Sequence, residues 1–282
     1  MTDALEDHEG TVSIADRTIT NLCFADNIDG LAGEEEELAK LVERLDKACT
    51  AYGMEISAEK TKLMTNNTSG INGQKLETVA NFKYLASVIT DGGSKPKIHC
   101  RIAQATAALT RLKPVWNDRS VSLSSKVCLM RSLVTSIFLY ACESWTLTAE
   151  LQRRIQAMEM RFYHKILCIS YNDHVTNDEV CDKIQQAIGP YDDVLTIVKR
   201  RKLQWYGHVS HSSGLAKTIS QGTVKGGRRQ GRQRKRWEDN IREWTDLEFV
   251  KYQRAVENRE KWRKLVAKSS VVPQQPSWLR DR

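Results

Sequence analysis

The chain has 282 residues, with 43 Lys and Arg against 35 Asp and Glu, a formal net charge of +8, 28% charged and 40% hydrophobic residues. These proportions lie near globular averages and exclude global disorder and collagen-like repeats. No apolar run approaches the roughly 20 residues of a membrane span, and the opening MTDALEDHEG lacks an apolar signal core, so the expectation is a nuclear or cytoplasmic protein, not secreted and with no membrane partner.

The seven cysteines are scattered, with no C-x-x-C pair, which reads as reduced thiols. Charge is divided unevenly. Residues 1–189 hold 21 Lys/Arg and 25 Asp/Glu, whereas residues 190–282 hold 22 and 10. The basic character belongs to the last third, a pattern that points to a polyanionic partner for that end.

In chain order, Val12, Ile14, Ile19, Leu22, Phe24, Ile28 and Leu31 alternate with polar residues and predict short antiparallel strands over 11–32. Turns are expected at Ala15-Asp16-Arg17 and Ala25-Asp26-Asn27. Gly33 ends the sheet. Glu34–Glu37 open a helix whose carboxylates suit the positive end of its dipole, and Leu38, Leu41, Val42, Leu45, Cys49 and Tyr52 mark its buried face. Gly53 is its stop. Residues 54–65 read as strand, turn and strand, 66–73 as a polar loop, and Phe82–Ile89 as one further strand broken by Asp91-Gly92-Gly93.

From Ser94 the period becomes helical. Ile102, Ala105, Leu109 and Leu112 define one helix. Leu123, Val127, Met130, Val134 and Ile137 define the next, and Leu151, Ile155, Met158, Phe162, Ile166 and Ile169 a third. Thr176 with Glu179 forms a capping box for a fourth, and Gly189-Pro190 introduces a fifth leading to Trp205. Residues 207–236 are rich in Gly, Ser, Arg and Gln and read as a flexible basic segment. Trp237, Ile241 and Trp244 share one helical face, a burial pattern, and Tyr252, Val256, Trp262 and Val266 form the last apolar set.

The fold class expected from this succession is α+β: a small antiparallel sheet with one packed helix, then a helical bundle and a basic, partly disordered tail. The domains are expected at 1–92, 93–206 and 207–282.

Two groups of residues carry chemistry. Phe24-Ala25-Asp26-Asn27 sits at a hairpin tip between two strands, where a carboxylate can hold a divalent metal; two-metal phosphoryl transfer needs at least two such groups. Arg228, Arg229, Arg232, Arg234, Lys235 and Arg236 lie within nine positions beside Trp237 and Trp244. Arginine forks suit phosphates, and aromatic rings can stack on unpaired bases. RQRKR also has the composition of a nuclear import signal. His164, Cys168, His174 and Cys181 are too loosely spaced for a structural zinc site, so no zinc is expected.

The order strand, FADN, strand, acidic helix, GMEISAEKTKLM and FKYLASVI resembles the C-terminal half of the palm of a reverse transcriptase. The likeness is to the endonuclease–reverse transcriptase polyproteins of non-long-terminal-repeat (LINE-type) retrotransposons. The helices after Ser94 look like thumb and connection, and RRKLQWYGHV…GRRQGRQRKRWEDNIREW looks like the tail of the same polyproteins. The resemblance runs from about Met1 to about Leu247. It implies RNA-templated DNA synthesis with Mg²⁺ or Mn²⁺ in the intact enzyme, and RNA and DNA (template and primer) as partners.

Residue by residue, the resemblance makes Asp26 a metal ligand. It sets Asn27 where a second Asp is usual. Lys60 matches the lysine that steadies the leaving pyrophosphate, with Lys62 as the fallback. Lys83, Tyr84 and Leu85 match the primer-gripping strand, in which Ala86 replaces the usual Gly. The family's other catalytic Asp lies on an upstream palm strand that this sequence does not show. The expectation is a truncated polymerase relic that synthesises no DNA by itself. The alternative is a non-catalytic nucleic-acid-binding remnant acting through the basic C-terminal segment.

Overall fold

The computed structural model describes residues 10–15, 17–25, 27–57, 59–64, 77–90, 92–222 and 234–270. The chain divides into two compact units. One comprises Met1–Asp91 with Ser212–Arg232, the other Gly92–His211 with Gln233–Arg282. Short strands and one long helix make the first, and helices make the second, so the fold is α+β.

In the first unit, β1 (Ser13–Ile14) pairs antiparallel with β2 (Arg17–Thr18), and β3 (Asn21–Phe24) with β4 (Asn27–Gly30). The turns fall where the polar residues interrupt the alternation, with Arg17 and Asn27 already inside their strands. Helix α1 (Glu35–Ala51) buries Leu41, Leu45 and Cys49, with Leu38, Ile28 and Ile56 packed beside them. It lies close over β4, because a Cβ on Gly30 would come within 2.9 Å of Leu41 Cδ2. Glu37 does more than favour the helix dipole. Its carboxylate accepts from Thr11 N (2.9 Å), Thr11 Oγ1 (2.5 Å) and Gly33 N (3.1 Å), and so ties the start of the helix to the start of the first strand.

Two strand expectations are corrected. Residues 54–57 form no strand; the first strand after α1 is β5 (Lys62–Leu63), which pairs in parallel with β6 (Glu77–Thr78). Nor is FKYLASVI one strand. It is a hairpin of β7 (Asn81–Tyr84) and β8 (Ser87–Thr90), closed by the Tyr84–Ser87 pair. Leu85 and Ala86 form its two-residue turn with φ of 44° and 59°. Two consecutive positive φ values match the twist of tight hairpins, although this run supplies neither the Gly nor the Asn that such a turn favours. Among the described residues the strands therefore form four separate two-stranded ladders, three antiparallel and one parallel. The short helix α8 (Leu215–Gln221) also belongs to this unit.

The second unit opens with α2 (Ser94–Arg111) and α3 (Lys113–Asn117). Helix α4 (Leu123–Leu129) continues through a π-helical segment, Met130–Thr135, and one α-turn, Ser136–Phe138. Then come α5 (Ala149–Ile166), α6 (Asn177–Ile188) and α7 (Val194–Ser210). Their caps are those the residues favour: Ser122, Thr148 and Asp193 accept from a backbone N–H three residues on, and Thr176 with Glu179 forms the expected capping box. The main core gathers Ile98, Leu109, Trp116, Val127, Phe138, Trp145, Ile155, Phe162, Ile184 and Val198, all at most 3% exposed.

Residues after 233 join this unit as three helices, α9 (Trp237–Thr245), α10 (Phe249–Glu257) and α11 (Arg259–Ser270). Ile241, Tyr252, Val256, Trp262 and Val266 close a second core on Leu203 and Tyr206 of α7. The boundary expected at 206–207 thus falls inside α7, and the described part of the tail is packed helix. The face shared by Trp237, Ile241 and Trp244 is buried or half-buried, as its spacing predicts.

Candidate nucleic-acid interface

The FADN hairpin is closed by the Phe24–Asn27 pair, with Ala25 at φ 53°. Asp26 lies outside the described residues. Asn27 is exposed, and Asp29 follows it two positions along β4, so the two side chains stand on the same face of the ladder. Burial holds the Asp29 carboxyl above the ordinary aspartate range.

The second hairpin lies beside the first. The phenol of Tyr84 is pushed up by desolvation and then by the nearby charges of Asp29 and Cys23, which come from β4 and β3. Tyr84, in the strand compared with a primer grip, therefore lies near Asp29 and Cys23, on the two strands that flank the FADN tip. Lys83 is exposed and Tyr84 half-buried, while Leu85 and Ala86 are exposed at the turn. Ala86 occupies a left-handed position, where glycine has no steric penalty and alanine does.

Lys60 is exposed in the turn before β5, and its side chain makes no hydrogen bond or ion pair among the described residues. Lys62 is instead held by Glu77 at 2.5 Å. On the described face of the first hairpin the hard oxygen donors are one carboxylate, Asp29, and one amide, Asn27. Elsewhere, no group of three His, Cys, Asp or Glu converges among the described residues. His164 instead meets Asn177, and the Cys181 thiol meets Met160.

Of the basic segment, Arg228, Arg229 and Arg232 lie outside the described residues. Arg234 and Arg236 are exposed at the entry to α9, where the Arg236 backbone N–H donates to Asp239 Oδ2 at 2.6 Å. Lys235 is different: it is half-buried and ion-paired with Glu243, so it is not presented to solvent as the arginines are.

The KRRK run at 199–202 also departs from a solvated basic face. Lys202 is fully buried. Its Nζ donates to Trp145 O (2.8 Å) and Asn240 Oδ1 (3.0 Å) and lies 4.4 Å from the ring centre of Trp237. Asn240 in turn bridges to Leu147 through both its amide oxygen and its amide nitrogen, joining α9 to the segment before α5. Burial, with Lys235 nearby, pulls the Lys202 ammonium down to about 6. Lys199, also buried, is lowered for the same first reason. Lys202 thus links α7 to α9 and to the segment before α5, while Lys199 lies 5.6 Å from the ring centre of Trp244. Arg200 is ion-paired with Asp192 at 2.5 Å. The sequence signal that could have revealed this is helical spacing: Leu195, Val198, Lys202 and Tyr206 follow one another on the buried side of α7.

The chain is 28% identical over 204 residues to an uncharacterized transposon-derived protein of Caenorhabditis elegans, a match that spans 69% of this chain and 72% of that protein. No family model matches the chain, and no solved structure matches it. No helix among the described residues is long and apolar enough to cross a membrane.

Proposed function

We propose that this chain is derived from the reverse transcriptase of a non-long-terminal-repeat retrotransposon, and that it acts by binding nucleic acid rather than by polymerising it. The observation that carries the reading is the pair of adjacent tight hairpins. They are closed by Phe24–Asn27 and Tyr84–Ser87, and they stand in the order in which the resemblance sets a metal-binding tip and a primer grip. Similarity to a transposon-derived protein agrees with that origin.

In the intact enzyme the primer 3′-hydroxyl would give up its proton to solvent and bond to the nucleotide α-phosphorus as the α–β P–O bond breaks and pyrophosphate leaves, and Mg²⁺ or Mn²⁺ would supply Lewis-acid stabilisation. With Asn27 neutral, the first hairpin has one negative charge fewer for such ions. The basic segment keeps its own chemistry. Arg228, Arg229, Arg232, Arg234 and Arg236 attract a phosphate backbone through counterion release and forked hydrogen bonds.

A salt-titrated binding assay with single-stranded RNA tests the reading. Changing those five arginines to glutamine should weaken binding and flatten its salt dependence by about 0.7 in slope for each lost contact. Asp26→Ala should leave binding intact, and template-primed extension in Mg²⁺ or Mn²⁺ should yield no product. Extension by the wild-type chain that Asp26→Ala abolishes would replace the proposal with a working polymerase.

A further inference from the structure

A second cationic surface lies beyond the segment that the sequence singles out. Helix α11 carries Arg259, Lys261, Arg263, Lys264 and Lys268 against one carboxylate, Glu260, and all six are exposed. Its apolar side is already used: Trp262 and Val266 are at most 5% exposed in the second core, with Leu265 packed beside them. No apolar face remains to enter a lipid surface, as an amphipathic membrane helix requires.

The charges are ordered around the helix. At 100° per residue, Arg259 and Arg263 stand within about 40° of each other on one shoulder, and Lys264, Lys268 and Lys261 span about 60° on the other. The shoulders are roughly 150° apart across the outward face. Between them lie Ala267 and Glu260, the latter paired with Lys264 at 2.8 Å. The only acid of the helix therefore sits on the midline, and the cations sit at the sides.

We propose that α11 lies in the major groove of duplex DNA, with one basic shoulder on each phosphate backbone. A B-form major groove is about 12 Å wide and admits a helix about 10–12 Å across, so phosphates flank the helix on both sides. A carboxylate is repelled by phosphates at the shoulders, but on the midline it faces base edges, where cytosine presents an amino donor. The major groove of A-form RNA is too deep and narrow for this arrangement. The surface extends the nucleic-acid reading and does not depend on the 228–236 segment.

The test uses the full chain with a DNA duplex of about two helical turns, roughly 20 base pairs, and an RNA duplex of the same sequence. The DNA duplex should bind more tightly. Two variants, Arg259→Glu with Arg263→Glu, and Lys264→Glu with Lys268→Glu, should each lose about tenfold or more in DNA affinity. Each should also lower the slope of log affinity against log salt by about 0.9 per lost contact. Wild-type circular dichroism and melting confirm that both variants are folded; should either fail that check, Arg259→Gln with Arg263→Gln and Lys264→Gln with Lys268→Gln replace them. Unchanged affinity and slope in a folded variant, or RNA duplex bound as tightly as DNA, would overturn the proposal. In a chain whose 228–236 arginines are glutamine, the preference for DNA should persist; its loss there would also overturn it. Failure of that segment to bind single-stranded RNA is a separate result and bears on the earlier reading alone.

Discussion

Gly207, in the interior of α7, is covered by the indole of Trp262 from α11. A Cβ built on Gly207 would come within 2.5 Å of Trp262 Cδ1, and Trp262 Nε1 donates to Leu203 O at 3.1 Å, one turn earlier on α7. The missing side chain is what lets the indole reach the helix backbone. Alanine is the better helix former by about 1 kcal/mol, so propensity alone would favour Gly207→Ala. The overlap is with a ring already held at 5% exposure, which cannot swing aside cheaply. Overpacking should win, and the variant should lose about 1–3 kcal/mol, read as a lower melting temperature.

At Ala86 the same small difference should have the opposite sign. Its φ of 59° costs an L-residue about 1–2 kcal/mol, while glycine's extra chain entropy costs about 0.5–1 kcal/mol. Ala86→Gly should stabilise the β7–β8 hairpin by several tenths of a kcal/mol. Slower amide exchange at Phe82 and Ile89, which face each other in the ladder, would show it, and faster exchange would contradict it.

Glu159 should make stability fall as pH rises. It is 2% exposed and accepts from Tyr163 Oη (2.9 Å) and Val194 N (3.0 Å). Burial outweighs those bonds and pushes its carboxyl from 4.5 up to about 7. A raised folded value means that the contribution is complete below pH 4.5 and is lost as pH rises through 7. Urea unfolding should show a loss on the order of 3 kcal/mol across that window, absent in Glu159→Gln.

Lys202 should act in the other direction. Its folded value of about 6 lies below the ordinary 10.5, so its contribution is present at high pH and fades as pH falls towards 6. Between those limits the wild type should lose about 1.4 kcal/mol per pH unit on acidification. Lys202→Met should flatten that slope, and an unchanged slope would show that the buried amine titrates as it would in water.

Where a side chain's role followed from spacing, it was legible in advance. Leu151, Ile155, Met158, Phe162 and Ile166 all point into the core, and Thr176 meets Glu179 as the motif predicts. The position of Asn27 at a tight hairpin followed from its motif, whereas Tyr84 was read inside one continuous strand. What escaped depended on partners far along the chain. Lys202 reads as one cation of a basic run until Trp145 and Asn240 surround it, 57 and 38 residues away. The Leu85-Ala86 turn lacks turn residues, so alternation alone extends the strand through it. The cations of α11 are spread over ten positions, and only the burial of Trp262 and Val266 shows that they share an outer surface.

The π-helical segment Met130–Thr135 makes the length of the chain itself a structural variable. A π turn holds one more residue than an α turn over the same span. Removing one residue between Leu129 and Ser136 would let the helix close as a regular α-helix, with the later side chains kept on their present faces. An insertion would instead turn them by about 100°, swinging Phe138 away from Trp145, whose ring it meets at 5.2 Å. The segment is thus a stretch of slack: this bundle can lose a codon there far more easily than it can gain one.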